Sequence, residues 1–327
     1  MTCKNCLILE LQFEILLSGH KNISMTDTIF NHFTRRNLII KIKDNHLFIN
    51  ESGVREFLDF CKDYMDEENV FFRLENAEWR PIDDIQNIID MQWIDEVIRK
   101  KSVISYSQPI VDINEEIYAY EVLSRFTRED GSLIYPNEVF TAARNRGRLY
   151  ALDRICRMSA VKYSASLKKK TFINFIPTSI YSPEYCLKST VQLTNQLGID
   201  PTQFVFEVVE SDKVDDIDHL KRILNYYNEK GFQYALDDVG EGYSTLDMLT
   251  DLKPHYMKLD IKYVQNVSMD RKKQEISKSF LKKALELGAI PLAEGIESRE
   301  DFDWLKQNGY QLFQGYLFGK PSIIPQL

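Results

Sequence analysis

Between residues 104 and 318 short apolar runs recur, and seven of them end in a carboxylate, an amide or a lysine. In chain order those endings are Glu121, Asn174, Glu207, the pair Asp237 and Asp238, Lys258, Glu294 and Gln314. An ionised group at the end of a buried strand is costly unless a cation or a substrate compensates its lost hydration. One such ending is an accident; seven in register predict oxygen ligands ringed around one mouth of a parallel barrel. Oxygen ligands suit hard divalent ions, so the pattern predicts a metal-dependent hydrolytic site holding Mg²⁺ or Mn²⁺.

A barrel of this kind takes about 250 residues, and the chain has 327, which leaves room for a second unit. Residues 1–82 are predicted to form a small mixed α/β domain, regulatory or dimerising. Its first strand is read from the alternation of Leu7, Leu9, Leu11, Phe13, Ile15 and Leu17. A short helix follows from Thr26 to Phe33, then a hairpin over 38–50 turning at Asp44-Asn45. Val54, Phe57, Leu58, Cys61 and Met65 fall at helical spacing after Ser52-Gly53, and a strand is expected from Val70 to Leu74. A connecting helix is expected over 83–103, with apolar residues on adjoining turns and no Gly or Pro before Lys100. The barrel is expected over 104–327, with helices at 137–146, 150–166, 215–230, 271–287 and 299–308. Gly231, Gly288 and Gly309 stand where helices should stop.

The net charge of −8 and the short, scattered basic runs give no footprint for a DNA or RNA polymer. No stretch of 18 apolar residues exists, and Glu10, Gln12 and Glu14 interrupt the most hydrophobic segment. No membrane span and no signal peptide are therefore expected. Five cysteines without framework spacing point to reduced thiols and a cytoplasmic protein. Cys3 and Cys6 form a lone CxxC, which with His20 or Cys61 would make a zinc site; two free thiols are the simpler alternative.

Histidine scarcity narrows the chemistry. Only His219 and His255 lie in the second part, too few for a zinc hydrolase, and no GxSxG elbow appears. Asp237-Asp238 follows an apolar run and precedes Gly240 and Gly242, which reads either as a simple turn or as two carboxylates with cations beside them. Two ions about 4 Å apart could clamp a phosphodiester there. Lys258 and Asp260 are expected on one face of a strand, where the lysine would hold a nucleophilic water or steady a phosphate charge, or the two would form a plain salt bridge. Glu294 is the candidate general base or second-metal ligand, while Glu297 would brace a loop. Arg125, four residues after Glu121, is expected at the same mouth to grip a phosphate.

Taken together, Tyr106–Val111, Glu121–Arg125, Ile173-Asn174, Glu207–Ser211, Asp237–Ser244, Lys258–Asp260, Ala293–Glu297 and Gln314–Pro321 resemble, in order and spacing, the EAL-domain family of cyclic-di-GMP phosphodiesterases. The resemblance covers about 104–324 and implies a variant TIM barrel, an α/β fold whose first strand runs antiparallel to the rest. It implies that Glu121, Asn174, Glu207, Asp237 and Asp238 are metal ligands, with Asp237 bridging two ions. Lys258 matches a water-positioning lysine, Glu294 a catalytic glutamate, and Gln314 a glutamine supporting metal-bound water. Gln108 and Arg125 match substrate contacts, and Asp153 a guanine-reading aspartate. Glu210 resembles the residue that holds the loop after Asp238, a loop associated with dimerisation.

Three departures stand out. The signature reads Glu-Val-Leu at 121–123, Ser124 and Phe126 flank Arg125, and Val239 and Glu241 replace an aromatic and a small residue. The last change adds charge beside the metals. The function implied is hydrolysis of cyclic-di-GMP to linear pGpG by two-metal-activated water, in a homodimer. The alternatives are a receptor that binds the nucleotide without cutting it, and a protein-binding scaffold that binds none.

Overall fold

The computed structural model describes residues 8–75, 77–128, 130–209, 216–239 and 253–323, with Val209, Asp238 and Val239 described by their backbone alone. Cys3, Cys6, Glu210, Glu241 and the side chain of Asp238, all singled out by sequence, lie outside what is described. The chain divides into two compact units, Met1–Ser102 with Ile134–Leu152, and Val103–Leu133 with Asp153–Leu327.

The first unit contains a five-stranded antiparallel sheet of β1 (Gln12–Leu17), β2 (Ile39–Lys43), β3 (His46–Asn50), β4 (Val70–Leu74) and β5 (Arg80–Pro81), in the order β2-β3-β1-β4-β5. Alternation decides which face of β1 is buried: Phe13, Ile15 and Leu17 are fully enclosed, while Glu14 and Leu16 are less so. Helices α1 (His20–Ser24), α2 (Thr26–Arg35) and α3 (Glu51–Tyr64) complete this part, and Ile29, Phe33, Val54, Phe57 and Cys61 bury against the sheet core. Sequence placed the start of α3 at Ser52-Gly53. The helix begins at Glu51, and Gly53 lies inside it where a Cβ would meet Ile49 and Leu38 at 2.9 Å.

The single helix expected over 83–103 is two helices, α4 (Ile85–Asp90) and α5 (Trp93–Lys100). Ile82, Ile85, Ile88 and Ile89 join the core of the sheet, so apolar spacing that resembled a connector is a packing face. Helix α6 (Pro136–Asn145) also belongs to this unit. Just beyond it the fully buried Arg146 forms a fork on Glu51 (2.8 and 3.0 Å) and reaches Asp95 at 2.7 Å.

The second unit is a closed barrel. Strands β6 (Val103–Val111) and β7 (Ile117–Thr127) form a long hairpin beside the two-residue β8 (Leu133–Ile134). Then β9 (Lys170–Phe175), β10 (Phe204–Val209), β11 (Gln233–Val239), β12 (Tyr256–Leu259), β13 (Ile290–Ala293) and β14 (Leu312–Gln314) follow in parallel. The ring closes through β6, which pairs antiparallel with both β14 and β7. The antiparallel first strand expected from sequence is thus present.

Helices α7 (Leu149–Leu167), α8 (Pro183–Cys186), α9 (Lys188–Leu197), α10 (Ile217–Glu229), α11 (Ile261–Val264), α12 (Arg271–Glu286) and α13 (Arg299–Asn308) lie between the strands in sequence. The five long helices expected for this half of the chain (α6, α7, α10, α12 and α13) agree within two residues at each end. By contrast α8, α9 and α11 were not foreseen, being short or, in α9, mostly polar. Local chemistry sets the boundaries of α13: Ser298 accepts the Asp301 N–H, donates to the Asp301 carboxylate, and the helix stops at Gly309 with φ 108°.

The barrel interior is layered. Ile110, Ala119, Phe172, Val205, Ala235, Tyr256, Leu292 and Leu312 form one buried apolar cluster. Each lies two residues from one of Gln108, Glu121, Asn174, Glu207, Asp237, Lys258, Glu294 and Gln314. Because side chains on a strand alternate with period two, the apolar cluster fixes the polar residues on the same inward face, one step nearer the mouth.

Candidate active site at the carboxyl mouth of the barrel

Lys258 is the centre of the polar layer. Its ammonium is 1% exposed and lies 2.5 Å from Glu207 Oε1, 2.5 Å from Glu294 Oε1 and 3.0 Å from Asp237 Oδ1. Burial alone would deprotonate it, but Asp237, Glu207, Glu294 and Glu121 together hold its pKa well above the ordinary lysine value. Lys258 is therefore a fixed cation in this arrangement.

The other half of the layer is an amide network. Glu121 accepts from Asn174 Nδ2 at 2.9 Å and from Gln314 Nε2 at 2.6 Å. Gln314 also donates to Gln108 Oε1 at 3.1 Å, and Gln108 donates to the Gly319 carbonyl at 3.1 Å. Burial would raise the Glu121 carboxyl, but Lys258 and the two amide donors outweigh it and lower its pKa. Glu207 and Glu294 move the other way: burial and the surrounding carboxylates hold both well above the usual range, despite Lys258.

Two glycines allow the chain to close over this layer. Gly295 follows Glu294 at φ 69°, where a Cβ would lie 2.1 Å from Ile261, and Gly315 follows Gln314, where a Cβ would lie 2.0 Å from the Ile296 carbonyl oxygen. Any side chain at either position would push a site residue out of place.

The donor set fits divalent cations. Ligand atoms of Glu207, Asp237 and Glu294 lie within 4.8 Å of one another. Four carboxyl groups share one ammonium, and the raised pKa of Glu207 and Glu294 marks more acid than Lys258 alone can offset. Glu207 Oε2 and Gln314 Oε1 are buried acceptors with no hydrogen-bond partner, and such orphans are expensive unless an ion or water meets them.

The EAL domain family matches residues 91–321. The chain belongs to the EAL domain family. A crystal structure of a standalone EAL protein from Vibrio cholerae O395, in its c-di-GMP-bound form, is 36% identical with TM-score 0.60, over 67% of this chain and 92% of that one. The FimX EAL domain from Pseudomonas aeruginosa, bound to c-di-GMP, superposes with TM-score 0.66 at 22% identity over 73% of this chain and 97% of that one, a likeness of fold. Among curated proteins, the probable cyclic di-GMP phosphodiesterase PdeG of Escherichia coli is 31% identical over 234 residues, 68% of this chain and 45% of that protein. The chain thus spans less than half of PdeG.

Within this EAL barrel the remaining expected site residues are placed less centrally. Arg125 is half-buried on the same face of β7 as Glu121, about 13 Å further toward the mouth at strand rise. It donates to the Ser124 carbonyl at 2.9 Å, and its guanidinium lies over the Tyr106 ring at 5.4 Å. Asp153 is 3% exposed and its carboxylate is engaged by Arg157 (2.8 and 3.2 Å) and by the Ile176 N–H (3.0 Å). Those partners lie on α7 and just past β9.

Asp260 does not share a strand face with Lys258. The strand ends at Leu259, and Asp260 caps α11 by accepting the Lys262 N–H at 2.6 Å. Asp237 and Asp238 lie in a register shift between Leu236 and Val239 where β11 meets β12. Glu297 is exposed. Sequence reading missed Arg157, whose only signal was its place four residues after Asp153 on one helix, and the Gly319 carbonyl, which leaves no signal in side chains.

Proposed function

We propose that this chain hydrolyses cyclic-di-GMP to linear pGpG with the help of two Mg²⁺ or Mn²⁺ ions. The observation that carries the reading is the convergence of Glu121, Glu207, Asp237 and Glu294 around Lys258, with unpartnered acceptors left at Glu207 and Gln314. Glu121, Asn174, Glu207 and Asp237 would hold the metals, with Asp238 beside them. Bound there, the ions supply positive charge to the phosphodiester oxygens and acidify the attacking water.

Glu294 is the proton acceptor. Its side chain is 17% exposed against 0% for Glu207, so it alone of the two reaches toward a substrate at the mouth. On this reading one of the three Lys258 N–H groups, here directed at Glu207, Asp237 and Glu294, would turn to the attacking water, and its tightly held proton keeps it from serving as a base. Arg125 at the rim grips the phosphate, Gln314 orders the Glu121 carboxylate, and Gln108 holds Gln314 and faces the substrate. A new bond from water oxygen to phosphorus forms as one phosphorus–O3′ bond breaks; the water's proton passes to Glu294 and the leaving O3′ takes a proton from solvent at the mouth, giving a 5′-phosphate and a free 3′-hydroxyl.

The free, buried Cys61, Cys156 and Cys186 fit a cytoplasmic setting, and among the described residues no helix is long and apolar enough to cross a membrane. We further propose that the chain works as a homodimer, with residues 1–82 in a regulatory or dimerising domain and the catalytic part at 104–327. Incubation of purified protein with Mg²⁺ or Mn²⁺ and cyclic-di-GMP, read by chromatography, tests the reaction. Linear pGpG is expected. Nucleotide bound but recovered intact would make the chain a receptor, and no binding at all would leave a scaffold.

A further inference from the structure

We propose that Asp153 and Arg157 are a positioning pair for the metal site, acting through the backbone that carries Asn174. The proposal rests on the metal-dependent reading above. On its β7 side, β9 is paired only as far as Ile173, opposite Val122. On its β10 side it runs on, with Asn174 opposite Glu207 and Phe175 opposite Val208. Asn174 thus stands where β9 has lost one of its two neighbours. The first residue past the strand, Ile176, finds its acceptor in a helix instead: its N–H donates to Asp153 Oδ1 at 3.0 Å. The Ile176 carbonyl in turn accepts from the Ser179 hydroxyl at 2.7 Å and the Ser179 N–H at 3.1 Å, closing the turn that follows.

Asp153 is aimed by Arg157. The guanidinium donates through Nε and Nη2 to Asp153 Oδ2, and through Nη1 to Thr190 Oγ1 at 3.0 Å. Asp153 is 3% exposed; Arg157 and Thr190 are fully buried. A buried ion pair is a poor device for stability, since apolar residues of the same volume usually do as well or better. What no apolar pair can do is accept the Ile176 N–H. An acceptor oxygen at 153, held in place by Arg157, fixes the backbone just after Asn174, where a metal ligand tolerates only a fraction of an ångström.

Mn²⁺ titration calorimetry on the full chain tests this with two double variants. In D153N/R157M the amide oxygen at 153 still accepts the Ile176 N–H, and affinity should stay within about threefold of wild type. In D153L/R157M the acceptor is gone, and affinity should fall about ten- to a hundredfold, as for other groups that orient metal ligands, while Tm is unchanged or higher. Equal Mn²⁺ affinity in all three proteins, or an equal loss in both variants, overturns the pair's role. A wild type that takes up no Mn²⁺ sinks the metal-dependent reading itself. Should D153L/R157M not fold, hydrogen exchange at Ile176 in D153N/R157M decides: protection as in wild type supports the proposal, and rapid exchange at undiminished Mn²⁺ affinity overturns it.

Discussion

Gln314 Nε2 donates to Glu121 Oε2 at 2.6 Å, although the two residues are 193 positions apart. The same amide group spans to Gln108, so one side chain orders the carboxylate where β6, β7 and β14 meet. Gln314→Glu would replace the donor by a second carboxylate at hydrogen-bond distance. Mn²⁺ affinity is expected to fall about 10- to 100-fold, the cost usual for groups that orient metal ligands. Gln314→Ala, which removes the donor without adding charge, should cost less. Calorimetry on both variants checks the order.

Glu294 combines contact with Lys258 and access to the mouth. Glu294→Gln keeps the shape and removes the proton acceptor, so turnover of cyclic-di-GMP should drop about 10²–10⁴-fold. Nucleotide binding should persist. Single-turnover product formation and equilibrium binding, measured on the same preparation, separate the two effects.

Lys258 neutralises part of an acidic cluster from which water is largely excluded. Lys258→Met leaves Glu207, Asp237 and Glu294 facing one another, and breaking a buried ion pair from one side costs about 3–5 kcal/mol. In the presence of EDTA, Tm should therefore fall well below wild type. Added Mn²⁺ should raise Tm more in the variant than in wild type, since the ion restores the missing charge. Equal Mn²⁺ shifts in the two proteins would contradict this.

A different carboxylate contributes to acid stability of the first unit. Glu14 is held below its ordinary 4.5, above all by the hydrogen bond from Arg73, against partial burial and with His46 assisting. A depressed folded pKa contributes stability above the unfolded value, which is lost as pH falls through the folded value. Glu14→Gln should lower the urea midpoint of this unit at pH 7, and the gap to wild type should close as pH falls through the depressed folded value.

Burial pushes the Cys61 and Cys156 thiols up to about 12. Thiolate, the reactive form, is then negligible at pH 8. Iodoacetamide should leave both unmodified in the folded chain and alkylate both in urea. Peptide mapping by mass spectrometry reads the outcome.

Much of the barrel was legible because its signals are local. Alternation marks strands such as β1, and a polar residue two places beyond an apolar one, as in Phe172 and Asn174, marks a strand entering a site. Spacing of apolar residues marked the long helices for the same reason. Where the signal was weak the reading failed: α9 is mostly polar, α11 has four residues, and the isoleucines of α4 are spaced alike whether a helix connects or packs. Asp260 was assigned to a strand face because alternation carries no mark of where a strand ends.

Sequence alone determined which side chains turn inward, since a period of two is a property of each strand taken singly. It determined the charge of the polar layer for the same reason. Only tertiary structure decided which of those side chains meet: Lys258 among three carboxylates, Gln314 on Glu121, and Asp153 on the Ile176 N–H. Those pairings depend on the register and closure of strands far apart along the chain, where an unmet donor or an unpaired charge must find its partner in whatever the fold brings near.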